Sequence, residues 1–164
     1  MADHDPRPDH DPNPRRGRDP HDDLEALRRL KARYFRGIDT KDWESLRNTF
    51  TDTVEVDMTG EGGGTHQSAD DFVAAVARAL EGATSVHHGH MPELRLTSTT
   101  AATGIWAMED RIWWPAGSPV TRLHGAGHYH EAYEKNPAGW RIRTMRLTRI
   151  FRHLYDAGGN LLDA

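Results

Sequence analysis

The chain has 164 residues, a net charge of −4 and charges of both signs mixed along its length. That is enough for one domain, and no basic stripe marks a nucleic-acid partner. With no cysteine it can form neither disulfides nor thiol intermediates. No apolar stretch is long enough to span a bilayer, and the N-terminus lacks the apolar core of a signal peptide, so no membrane is expected and a cytoplasmic protein is the expectation.

Residues 1–22, MADHDPRPDHDPNPRRGRDPHD, hold Pro, Asp, His and Arg and almost nothing apolar. Such a run buries too little surface to offset the entropy of ordering and is expected to be a disordered tail. Asp22 or Asp23 is positioned to cap a helix to about Arg36, with Leu24, Leu27, Leu30 and Tyr34 on one stripe and Gly37 ending it. A second, short helix is predicted from Thr40, with Trp43, Leu46 and Phe50 inward. Val54, Val56 and Met58 alternate with Glu55 and Asp57, as in a strand. GEGGGT at 60–65 reads as a flexible loop without phosphate-loop spacing. Ser68 with Asp71 resembles a capping box opening a third helix, through Leu80, that buries Phe72, Val73 and Val76.

From about Ala83 the pattern changes to long strands near 84–97, 100–114, 121–134 and 140–152, with turns at PAGSP and KNPAG. Helices first and an antiparallel meander afterwards argue for an α+β domain in which helices cover one face of a curved sheet. The expected division is a tail over 1–22, a domain over 23–153 and a loose tail over 154–164.

Three sets of residues carry possible chemistry. On GIWAMEDRIWW, Trp106, Met108, Asp110, Ile112 and Trp114 share one face, and Ile105, Ala107, Glu109, Arg111 and Trp113 the other. Asp110 therefore sits in an apolar stripe and needs a partner. Two readings stand, a structural ion pair such as one to an Arg of the last strand, and a role in a pocket. His87 and His88 face opposite ways on one strand, while His124, His128 and His130 share a face. That trio reads either as metal ligands or as a solvent- or dimer-facing row. Tyr34 and Asp39 read either as a core aromatic with an N-cap for the next helix, or as site residues. No nucleophile elbow, Walker loop or dinucleotide fingerprint is present.

The segments YFRGIDTKDWESL at 34–46, SVHHGHMPELRL at 85–96, GIWAMEDRIWWP at 104–115 and GHYHEAYEKNPAGWRI at 127–142 together resemble the SnoaL-like family of the nuclear transport factor 2-like superfamily, over about Leu24 to His153. The resemblance implies a cone-shaped barrel of a strongly bent mixed or antiparallel sheet, wrapped by about three N-terminal helices, with the pocket inside the cone. Relatives include polyketide cyclases, scytalone dehydratase, a bile-acid dehydratase and a dehydrochlorinating enzyme, several of which use an Asp–His pair. By that likeness Asp39 and His87 form the pair. Tyr34 matches the tyrosine before the aspartate, and Asp110 the second acid of the bile-acid dehydratase. Met58 stands near the place of a second tyrosine, which this chain lacks.

What the resemblance implies is a cofactor-independent acid–base enzyme, a dehydratase-like lyase, an isomerase or a cyclase. Its site would hold catalytic Tyr34, Asp39, His87 and Asp110. Met58, Trp106, Met108, Trp114 and Tyr129 would receive a largely apolar polyketide-, steroid- or terpenoid-like molecule. His87 would be the base, Asp39 its orienting partner, Tyr34 an oxyanion donor and Asp110 a neutral acid favoured by apolar surroundings. No metal or organic cofactor is required by this chemistry, and a homodimer or higher homo-oligomer is expected. The alternative is a non-catalytic protein of the same fold that binds a hydrophobic ligand.

Overall fold

The computed structural model describes residues 19–61 and 63–162. The expected tail therefore lies outside the described residues as far as residue 18, but residues 19–22 do not belong to it. Helix α1 (Pro20–Thr40) starts earlier than the periodicity predicts, because Asp19 accepts from the His21 N–H and Pro20 stands in the first turn. Proline loses nothing there, since that N–H has no helical partner in any case. Asp23 is instead buried, bound to Lys135 and, at 2.9 Å, to the indole N–H of Trp140.

Gly37 does not end the helix. It lies where α1 crosses the next segment, and a Cβ there would stand 3.1 Å from the Leu46 backbone nitrogen. The helix runs to Thr40, and Lys41 terminates it in a left-handed conformation, φ 60°, with its N–H on the Ile38 carbonyl. Helix α2 (Trp43–Arg47) is capped by Asp42, whose carboxylate accepts from the Ser45 N–H at 3.0 Å. Asp39 is thus free of capping duty. Phe50, expected at the end of this helix, is the first residue of a strand. Helix α3 (Ala69–Ala79) begins as expected, with the Ser68 hydroxyl accepting from the Asp71 N–H.

The strands are β1 (Phe50–Asp57), β2 (Thr65–His66), β3 (Thr84–Leu96), β4 (Ala101–Trp113), β5 (Arg122–Asn136), β6 (Gly139–Tyr155) and β7 (Leu161–Leu162). They form one mixed sheet in the order β2-β1-β6-β5-β4-β3, with β7 on β6. Among the described residues only β1 and β6 pair in parallel. The sheet is bent but not closed, since β2 and β3 remain as edges. The C-terminal segment expected to be loose folds back as β7. Its turn is set by Asp156, which accepts from the Asn160 N–H at 2.8 Å, and by Gly159 at φ 79°.

Alternation along the long strands decides which face is inner. Trp106, Met108, Asp110 and Ile112 on β4, and Leu123, Tyr129, Glu131 and Tyr133 on β5, are buried. Helix α1 fills the space against them with Leu27, Leu30, Tyr34 and Ile38, and Tyr34 packs edge-to-face on Phe50 and Tyr129. The opposite face carries Glu109, His124, His128 and His130, with Trp113 40% exposed and Ile150 70% exposed. The inner face therefore has both a helix and a sheet to position side chains rigidly.

Candidate active site

Asp39 stands in the last turn of α1, and Ser85 and His87, two residues apart on β3, project to the same side. The Asp39 Oδ1 lies 2.7 Å from His87 Nδ1 and accepts from the Ser85 hydroxyl at 3.0 Å. Its Oδ2 accepts from the His87 backbone N–H at 2.8 Å. One carboxylate thus grips both the ring and the main chain of a single histidine. Burial alone would raise the Asp39 carboxyl, but the hydrogen bonds from the His87 ring, the His87 N–H and Ser85 outweigh it and hold the group below the usual carboxylate range. With Nδ1 facing a carboxylate, the ring proton belongs on Nδ1. Nε2 has no protein hydrogen-bond partner among the described residues. His88 faces the other way, is exposed, and has its ring 6.3 Å from that of His90.

Asp110 is the direct cross-strand partner of His87. It does not stand as a neutral acid. Arg149 of β6 clasps both of its oxygens, Nη1 to Oδ1 at 2.8 Å and Nη2 to Oδ2 at 2.7 Å. A two-pronged guanidinium contact calls for the charged carboxylate, so the ion-pair reading is the one that forms, and the apolar-surroundings argument fails because β6 brings a cation onto the β4 stripe. Gly125 makes room for it. A Cβ there would be 2.6 Å from Arg149 Nη1 and 2.8 Å from Asp110 Oδ1. Tyr34 lies deeper, 1% exposed. Burial raises its phenol well above the ordinary range, with Tyr129, Glu131 and Asp110 adding to the effect, so it stays a neutral hydroxyl. Tyr129 is raised for the same first reason, burial, followed by the charge on Asp110.

Below the tyrosines lies a polar cluster that sequence reasoning missed. The Lys31 ammonium is 2.5 Å from Glu131 Oε1 and sits 3.9 Å from the Tyr34 ring centre and 3.7 Å from that of Tyr129. The Tyr133 hydroxyl donates to the other Glu131 oxygen and accepts from the Trp106 indole N–H at 2.7 Å. Burial lowers the Lys31 ammonium below its usual range, opposed by the charge and hydrogen bond of Glu131. The signal was present: Lys31 is four residues after Leu27 and three before Tyr34, on the stripe itself, and Glu131 alternates with Tyr129 and Tyr133.

The residues expected to receive a substrate are divided. Trp106, Met108 and Tyr129 belong to the inner wall, each no more than 5% exposed, and Arg149 Nη1 touches the Met108 sulfur at 3.5 Å. Trp114 is tied by its indole N–H to the carbonyl of Ala79, the last residue of α3, and Met58 is half-buried beside the core. The His124, His128, His130 row shares the outer face, where His124 bonds Glu109 at 2.9 Å and His130 bonds the Thr148 hydroxyl at 3.1 Å. Among the described residues no three His, Asp or Glu side chains converge as a metal site. A groove of about 830 Å³ also opens on the outer face, bordered by Glu55, Arg95, Ile105, His130 and Arg146. It contains neither Asp39 nor His87. The inner cluster is the better candidate for chemistry, because its histidine and carboxylate are held away from solvent, whereas the His124–Glu109 pair on the outer face lies in the open.

A bent, open sheet with helices on its inner face is the arrangement of the nuclear transport factor 2-like superfamily. Within it the chain belongs to the SnoaL-like domain family, which matches residues 20–146. It is similar in structure to Kfla4162 from Kribbella flavida, with 22% identity over 82% of this chain and 95% of that one and a TM-score of 0.74. It is also similar to the hexachlorocyclohexane dehydrochlorinase LinA-type3 from Novosphingobium barchaimii, with 19% identity over 86% and 94% and a TM-score of 0.67. A third likeness is to an NTF2-like protein with a cystatin-like fold from Novosphingobium aromaticivorans, with 19% identity over 85% and 87% and a TM-score of 0.67. At these identities the likeness is one of fold. Among the described residues no helix is long and apolar enough to cross a membrane.

Proposed function

We propose that the protein is a cofactor-independent acid–base enzyme of the dehydratase, isomerase or cyclase type, with His87 as its base. The observation that carries this reading is the 2.7 Å contact of Asp39 Oδ1 with His87 Nδ1, which leaves Nε2 as the proton acceptor. Nε2 takes a proton from a carbon next to a carbonyl or similar activating group, and Asp39 stabilises the imidazolium that forms. The electron pair moves into the activated carbonyl, and the charge on its oxygen is met by the Tyr34 hydroxyl and by Arg149. In a dehydration the returning pair forms the new C=C bond, the bond to the β-hydroxyl breaks with its own electron pair, and the His87 imidazolium gives up its proton to complete the departing water; in an isomerisation that proton goes instead to a carbon further along the conjugated system. Asp110 anchors Arg149 and donates no proton. Trp106, Met108 and Tyr129 suit a flat, largely apolar substrate of polyketide, steroid or terpenoid type. The structural likeness to a dehydrochlorinase supports elimination chemistry as the first class to assay.

The tight enclosure of Tyr34 and Asp110, 1% and 3% exposed, favours a second reading, a non-catalytic protein that binds a hydrophobic ligand. Asp39→Asn separates the two. Assayed on a panel of cyclic β-hydroxyketones by enone absorbance and by calorimetric binding, the variant is expected to bind as the wild type does and to lose turnover. Equal loss of both supports the binder.

A homodimer or higher homo-oligomer through the outer sheet face, where Trp113 and Ile150 are exposed, belongs to the same proposal. Sedimentation is expected at twice the 18.5 kDa chain mass or more, and a particle at the chain mass removes it.

A further inference from the structure

Lys41 is the only non-glycine with a left-handed backbone among the described residues, at φ 60° and ψ 26°. A glycine would hold this helix-terminating conformation without strain. A lysine in such a place calls for a reason in its side chain, and the side chain has one. Its Nζ, half-buried near the Trp43 ring, donates to the Ser85 hydroxyl at 2.8 Å. Ser85, only 4% exposed, stands 3.0 Å from Asp39 Oδ1, the oxygen that meets the His87 ring.

The chemistry of the groups fixes the direction of this chain. An ammonium has only donors, so Ser85 must accept from Lys41. Its single hydroxyl proton is then turned toward Asp39. That carboxylate, gripped by Ser85 on one side and by the His87 main-chain N–H on the other, is an acceptor throughout, so the proton between it and the imidazole belongs to Nδ1. We propose that Lys41 and Ser85 are positioning residues, a one-way hydrogen-bond chain that keeps Asp39 ionised and aimed so that His87 presents Nε2 as the base. Burial lowers the Lys41 ammonium and the Asp39 charge opposes that fall, as two groups working on one another would require. The other charged groups on this side, Asp110 and Arg149, are bound to each other and leave the chain intact.

The functional sense of the chain rests on the reading of His87 as base, but its test needs no substrate. Carboxyl ¹³C and imidazole ¹⁵N NMR titrations of the full chain would follow Asp39 and the His87 tautomer in the wild type, Ser85→Ala, Lys41→Met and Lys41→Gly. Loss of either donor is expected to move the Asp39 titration upward by about half a pH unit or more, and to turn neutral His87 from the Nδ1–H form into a mixture. Lys41→Gly is expected to raise the thermal unfolding midpoint, because its backbone suits φ 60°, and yet to shift Asp39 as Lys41→Met does. A lysine that merely ends the helix predicts a different result: a more stable Lys41→Gly protein whose Asp39 titration and His87 tautomer match the wild type. That result, or an unchanged Lys41→Met, overturns the proposal. If Ser85→Ala fails to fold, the two Lys41 variants decide. Should Asp39→Asn keep full turnover while these titrations move as expected, the chain stands and the base assignment falls.

Discussion

His87→Ala is expected to lower turnover of a converted substrate by about 10²–10⁴-fold, with ligand affinity changed far less. The magnitude follows from what the ring does in the structure. Its Nδ1 is committed to Asp39, and its Nε2 is the nitrogen left to take a proton. Alanine removes the acceptor and leaves the Asp39 carboxylate, whose bonds from Ser85 and from the residue 87 N–H survive. Asp39 is thus still held in place, so the loss reports the imidazole and not a collapsed loop. His87→Gln provides the control of similar size. His88→Ala, on the opposite and exposed face of the strand, is expected to retain turnover. A His87→Ala protein with near-normal kcat would remove the base assignment outright.

The second large effect concerns stability. Lys31→Met is expected to cost about 3–5 kcal/mol, because it leaves Glu131 charged and without its cation in the interior. For a domain of this size that corresponds to roughly 6–20 °C in the unfolding midpoint, read by calorimetry. Both side chains are essentially inaccessible, at 1% and 0%. The Tyr133 hydroxyl still donates to Glu131 in the variant, which keeps the group from being wholly orphaned. The double variant Lys31→Met, Glu131→Leu is expected to recover much of the loss, since two apolar groups leave no buried charge. A double variant no more stable than Lys31→Met would show that the pair does more than neutralise itself. The cation also lies over the Tyr34 and Tyr129 rings, so such a failure would point to the tyrosines as what it supports.

The alternation that put Trp106, Met108, Asp110 and Ile112 on one face is the alternation observed, because a half-buried strand has a period of two and no freedom to change it. The Ser68 cap of α3 and the four long strands were legible for similarly local reasons. Local rules misled where a tertiary contact outranked them. Gly37 looked like a helix end, but its lack of a Cβ serves the crossing at Leu46. Asp39 was a plausible cap until Asp42 took that role and left Asp39 for the strand beyond α3. The segment after Tyr155 has too little apolar content to predict a strand, and it pairs with β6 only because an edge is there to receive it.

What the sequence determined by itself is the ordering of helices before strands, the inward face of each long strand, and a short set of residues able to do chemistry. These depend on period and capping, which act over a few neighbours. What only the tertiary structure decided is partnership. Asp110 met Arg149, 39 residues away, and so became a counter-ion and not an acid. Lys31 met Glu131 across 100 residues, and Lys41 reached Asp39 through Ser85. The charge state and hydrogen-bond direction of a buried group depend on the group opposite it, and strand register and helix docking bring that group from elsewhere in the chain.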